Sequence, residues 1–97
     1  MFPEYLEAPL AASLVGKAVN DGLVEIEVVD LRDFGHGVHR TLDDAPFGGG
    51  AGMVMRAEPL AQAVESLPAG NRVLFAAAGR PLIQDDLDRW AGLDHLV

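Results

Sequence analysis

Four glycines fall within five positions at Gly48-Gly49-Gly50-Ala51-Gly52, a density that neither a helix nor a strand would choose. Each glycine gives up more backbone freedom on ordering than any other residue. A fixed loop of this kind is worth forming where main chain must pass close to something, or where φ must be positive. A slack turn is the plain alternative. The approach to the glycines is His39-Arg40-Thr41-Leu42-Asp43-Asp44-Ala45-Pro46-Phe47, so a histidine, an arginine and two carboxylates arrive just ahead of them. Met53-Val54-Met55 follows, an apolar segment expected to be buried.

The 97 residues suit one domain, and 49% apolar content argues for a packed core rather than disorder. The apolar runs, such as Val73 to Ala78, are too short to cross a bilayer. No basic stretch leading into a long apolar core opens the chain, so no secretory signal is expected. The absence of cysteine removes disulfides, thiolate nucleophiles and cysteine zinc sites, in keeping with a cytoplasmic setting. Fifteen acids against seven bases give a formal charge of −8, which speaks against unspecific grip on a phosphate backbone and against a DNA partner. The same acidity serves solubility.

Periodicity predicts the elements. A short turn near Pro3 leads to a helix from about Leu10 to Asn20, ended by Asn20-Asp21-Gly22 with Gly22 as a left-handed cap. Val24 to Val29 alternates apolar and acidic residues and reads as a strand. Asp30 to Gly52 reads as a long loop anchored by Leu31, Phe34, Val38, Leu42 and Phe47. Glu58 to Leu67 is an amphipathic helix, Val73 to Ala76 a buried strand, and Asp85 to Trp90 a short helix. Leu96-Val97 looks like the opening of another strand. The alternation implies an α/β fold with a partial, mostly parallel sheet and flanking helices.

The chemistry is bounded by what is missing. The glycine run is not followed by Lys-Ser or Lys-Thr and lacks the strand–GxGxxG–helix setting, so it is neither a P-loop nor a dinucleotide fingerprint. Its successive N–H groups still suit an anion, although Asp43 and Asp44 favour an arginine, a base edge or Mg²⁺ instead. His36 and His39 have no metal-site spacing. No serine stands in a nucleophile elbow. The Arg40 fork suits a carboxylate, a phosphate or a guanine edge, or an internal pair with Asp43 or Asp44. Arg80 sits in a turn at the carboxyl end of a predicted strand, where parallel sheets hold ligands.

These residues together resemble the bacterial tRNA (guanine-N1)-methyltransferases, the trefoil-knotted SPOUT-type enzymes. The matching segments are Phe2-Pro3-Glu4, Gly16-Lys17-Ala18, Asp30-Leu31-Arg32-Asp33, His39-Arg40-Thr41, Asp43-Asp44, Phe47 through Met55, and Ala78-Gly79-Arg80-Pro81. The resemblance implies methyl transfer from S-adenosylmethionine to N1 of the guanosine 3′ to the anticodon, by a homodimer acting on tRNA, with Mg²⁺ linked to turnover. It implies that Phe75, Ala76 and Ala77 form the first wall of the cofactor pocket. It places His39, Arg40, Asp43, Asp44, Gly48, Gly49, Gly50, Gly52 and Met53 on the side facing the dimer partner and the target guanosine.

The family pattern also contains a strand ahead of Phe2-Pro3-Glu4, the knot crossing, the general-base aspartate and a helical tRNA-binding domain. None of these has a counterpart here, so residues 1–97 are expected to be an incomplete N-terminal part of an α/β-knot domain. No catalytic residue and no metal ligand is assigned, and the isolated polypeptide is expected to be inactive. Ala77 stands where a proline is usual in the family. The alternative is a non-catalytic module that dimerises or contacts RNA.

Overall fold

The computed structural model describes residues 2–97. Helix α1 (Glu4–Leu10) starts at Pro3, whose φ of −57° already suits a helix. Glu4 and Glu7 in its first turn complement the positive end of the dipole. Pro9 lies inside α1 and lacks the N–H that would extend it, and the helix stops at Leu10. The chain opens out at Ala12 (ψ 154°) before α2 (Ser13–Asn20) begins. The helix expected from about Leu10 to Asn20 is thus present as α2, starting three residues later, and the short turn expected near Pro3 is a helix of its own. The expected cap at the end of α2 is present: Gly22 has φ +73°, and the Leu23 N–H donates to the Ala18 carbonyl at 2.9 Å.

The segment Val24 to Val29 has no ladder partner among the described residues and is not a strand. Alternating pattern alone does not hold a strand, because its N–H and C=O groups need a neighbour. A 3₁₀ turn (Leu31–Phe34) follows. Strands β1 (Asp43–Asp44) and β2 (Val54–Met55) then pair antiparallel, Asp43 opposite Met55 and Asp44 opposite Val54. The Arg56 N–H continues the ladder to the Leu42 carbonyl at 2.6 Å. Met53, Val54 and Met55 are exposed, contrary to the burial expected of them, because this two-stranded sheet is not covered on either face by another element. Helix α3 (Ala57–Ser66) carries the buried residues Pro59 and Ala63.

The chain divides into two compact units, Met1–Ala63 and Val64–Val97. In the second, Asn71 and Leu96 form a parallel bridge. The Asn71 N–H donates to His95, the Val97 N–H to Asn71 (2.8 Å) and the Val73 N–H to Val97 (2.7 Å). Helix α4 (Gln84–Ala91) lies between the two bridged segments, which makes this unit a short βαβ crossover. The class is α/β with flanking helices and a small open sheet. The antiparallel hairpin is the sheet, and the parallel pairing is confined to the ends of the second unit.

Candidate functional site

The loop that enters the hairpin is built from arginine–carboxylate pairs. Asp30 caps the 3₁₀ turn by accepting from the Arg32 N–H at 2.9 Å, and the Arg32 guanidinium grips the same carboxylate from Nε and Nη2. The Arg32 side-chain bond holds the Asp30 carboxyl below the usual range. His36 and Thr41 then exchange two main-chain bonds, of 3.0 and 2.9 Å, across the turn Gly37–Arg40. Arg40 is the turn's last residue and has φ +51°. Its guanidinium pairs with Asp33, and its Nε donates to the Arg32 carbonyl at 2.7 Å. The partner is thus Asp33 and not Asp43 or Asp44, because the turn folds Arg40 back toward the 3₁₀ segment. His36 Nε2 lies 3.2 Å from Glu58 Oε2, out of line for a hydrogen bond but close enough for a charge pair once the ring is protonated. His39 is exposed.

Asp43 and Asp44 occupy the whole of β1, and Arg56 braces it from β2's end. Arg56 Nε donates to the Asp43 carbonyl at 3.2 Å, and Nη2 lies 3.4 Å from Asp44 Oδ2. Asp44 Oδ1 also accepts from the Ala45 N–H. The glycine run closes the hairpin as an arch. Gly48, Gly49, Gly50 and Gly52 have φ of +85°, +85°, +121° and +93°, a run that side-chain-bearing residues rarely adopt. The expectation of positive φ is met at all four. Phe47 and Val38 are fully or nearly fully exposed, so neither anchors the loop as the sequence suggested. Leu31, Phe34 and Leu42 are partly covered.

In the second unit, Phe75 and Ala76 line an open groove of about 200 Å³ with Arg80, Asp86 and Trp90. Ala77 does not line it and lies in the tight turn closed by the Gly79 N–H on the Ala76 carbonyl. Drug-sized ligands occupy sites of roughly 300–1,000 Å³, so this groove by itself is smaller than such a site. Leu74 and Phe75 are exposed and make no ladder among the described residues, leaving an apolar surface with free main-chain groups beside it. Asp86, 3% exposed, accepts from Arg80 and Arg89 and from the Ile83 N–H. Its bond from Arg80, more than any other influence, lowers its pKa to about 2.

Comparison with known proteins decides the family. The model of the tRNA (Guanine-1)-methyltransferase TrmD family matches residues 1–97. The chain belongs to that family. A tRNA (guanine-N(1)-)-methyltransferase of Thermus thermophilus is 50% identical over 98 residues, covering 100% of this chain and 41% of the relative. One from Rhodococcus jostii is 46% identical, again over 100% of this chain and over 45% of the relative. One from Paenarthrobacter aurescens is 64% identical over 73% of this chain and 26% of the relative. The chain therefore spans less than half the length of these methyltransferases.

Sequence reasoning missed Arg56, Asp86 and Trp90 as parts of these sites. Asp86 had a signal: an acidic residue at the third position of a helix, six residues after Arg80 and three before Arg89. Arg56 had none, because its role depends on the hairpin register. Among the described residues no group of three His, Cys, Asp or Glu gathers as a metal site, so no step is assigned to Mg²⁺. No helix among them is long and apolar enough to cross a membrane.

Proposed function

We propose that these residues contribute to methyl transfer from S-adenosylmethionine to N1 of the guanosine 3′ to the anticodon in tRNA, within a homodimeric cytoplasmic enzyme. The observation that carries this reading is the family match over all 97 residues, together with a glycine arch whose positive φ values make its sequence obligatory. The groove beside Phe75 and Ala76 suits the donor, since exposed apolar side chains and unpaired main chain are what an adenine face and edge require. When bound, the donor supplies an electrophilic sulfonium methyl group.

The chain's own residues bind and orient. Phe75 and Ala76 form the cofactor wall, and Ala77 sets the turn behind it. Arg40 offers a planar fork for a guanine edge or a phosphate, with Asp33 holding it in the absence of RNA. The arch Gly48, Gly49, Gly50 and Gly52 brings bare main chain to the substrate or dimer side, flanked by His39, Asp43, Asp44 and Met53. Proton removal from guanine N1 is assigned to none of these residues.

A chimera tests the reading: residues 1–97 replace the matching segment of the Thermus thermophilus relative. The expected result is formation of 1-methylguanosine in tRNA by the chimera and none by the 97-residue polypeptide alone. A folded chimera that transfers no methyl group refutes the assignment. A second reading, a docking module without catalysis, draws on the exposed Phe47, Leu74 and Phe75. Turnover by the isolated polypeptide would sink it.

A further inference from the structure

Asp86 is the one buried charged residue among those described, and it is used far beyond the needs of a helix cap. A cap at this position requires a single bond back to the N-cap main chain, which the Ile83 N–H supplies at 3.2 Å. The carboxylate does much more. Its Oδ2 also accepts from Arg80 Nη1 at 2.7 Å, and its Oδ1 accepts from Arg80 Nη2 and, at 2.8 Å, from Arg89 Nη2. Two guanidiniums thus converge on one carboxylate. The Arg80 contact is bidentate, the arrangement that fixes direction as well as distance.

Arg80 itself gains little by packing, since its side chain is 62% exposed. What it gains is position. It follows Gly79, whose N–H closes the turn on Ala76, and it precedes Pro81, whose carbonyl it also approaches. The turn joins the Phe75–Ala76 wall of the groove to α4, which brings Trp90 to the other side. Among the described residues, the side-chain hydrogen bonds from this turn to α4 all end on Asp86.

We propose that Asp86 is the positioning residue of this groove, clamping the Arg80 turn onto the first turn of α4 and so setting the wall that meets the adenosyl donor. The inference rests on the reading of Phe75 and Ala76 as cofactor wall. Asp86 acts through Arg80 and touches no reacting atom.

The test uses the 97-residue chain for amide exchange and the chimera for donor binding. Asp86→Asn removes the charge, Arg80→Ala removes the bidentate partner while Arg89 still pairs with the carboxylate, and Asp86→Glu restores a carboxylate. Amide exchange at Gly79 and Ile83, whose N–H groups are hydrogen-bonded, is measured in this chain, and S-adenosylmethionine is titrated calorimetrically against the chimera that carries residues 1–97 in the Thermus thermophilus relative. Asp86→Asn and Arg80→Ala are each expected to speed that exchange by about tenfold or more, with α1 and α2 amides unchanged. Donor affinity should fall by about fivefold or more in both, and Asp86→Glu should recover most of it. Unaltered exchange in the folded variants overturns the inference, and so does faster exchange with unchanged donor affinity. Faster exchange combined with no donor binding by the folded parent chimera sinks the cofactor reading and leaves the clamp standing.

Discussion

Replacing Gly35 with alanine sets two opposed effects against each other. The backbone there (φ −70°, ψ 158°) suits any residue. Restricting the unfolded chain would by itself stabilise by about 0.4–1 kcal/mol. The space around Gly35 forbids that gain. A Cβ would sit 2.3 Å from the Arg40 carbonyl oxygen and 2.4 Å from its carbon, where real Cβ contacts stay above 3.0 Å. Relief moves the Arg40–Thr41 peptide by about 0.7 Å, which stretches the 2.9 Å bond from the Thr41 N–H to the His36 carbonyl to about 3.6 Å and ends it. Losing that bond and its reciprocal costs about 2 kcal/mol, at about 1 kcal/mol each. The net expectation is destabilisation of about 1–2 kcal/mol. Urea unfolding followed through the amide signals of residues 30–42 measures it. Gly92→Ala is the control, since a Cβ there meets only an ordinary 3.7 Å contact. A Gly35→Ala chain as stable as its parent refutes the closed turn between His36 and Thr41.

Acid should loosen the second unit. The Asp86 carboxyl lies lower in the folded chain than in the unfolded one, so its contribution is complete above about pH 4 and disappears as pH falls through about 2. Trp90 emission titrated downward should change in that window, and in Asp86→Asn it should not. Gly50→Val forces a branched side chain to φ +121° and should cost about 1–3 kcal/mol or remodel the arch. Unchanged stability and unchanged amide shifts would show that the arch is slack. Arg56→Ala removes a partly exposed brace and should cost only about 0.5–1 kcal/mol, while raising amide exchange at Asp44 and Val54, the hydrogen-bonded pair of the ladder. A loss well above that range would mean that Arg56 does more than hold β1.

Local chemistry was legible wherever the deciding contacts lie within a few residues. α3 and α4 appeared within about two residues of their expected ends, because their apolar spacing and turn residues are local signals. The cap at Gly22 and the positive φ of the glycine arch were legible for the same reason. Val24 to Val29 was misread because a strand is a relation between two segments, and the sequence shows only one of them. The burial expected of Met53 to Met55, and the anchoring expected of Phe47, failed likewise. Apolarity says what a residue would gain by being covered, not whether a cover exists. Arg40 was recognised as a fork, but its choice of Asp33 follows from a turn at φ +51° that no pattern announces.

The pairing of Asn71 with Leu96 has a kinetic side. Its two halves are separated by the whole of α4 and the turns around it. Bringing them together means closing a loop of roughly 25 residues, an entropic cost on the order of 3 kcal/mol before any bond is returned. A helix needs only neighbours and forms in about a microsecond or less. Once wound, α4 takes up slack, since its eight residues then span about 12 Å. Winding should therefore precede zipping in this part of the molecule, and the hollow beside Phe75 comes into being only at the later event.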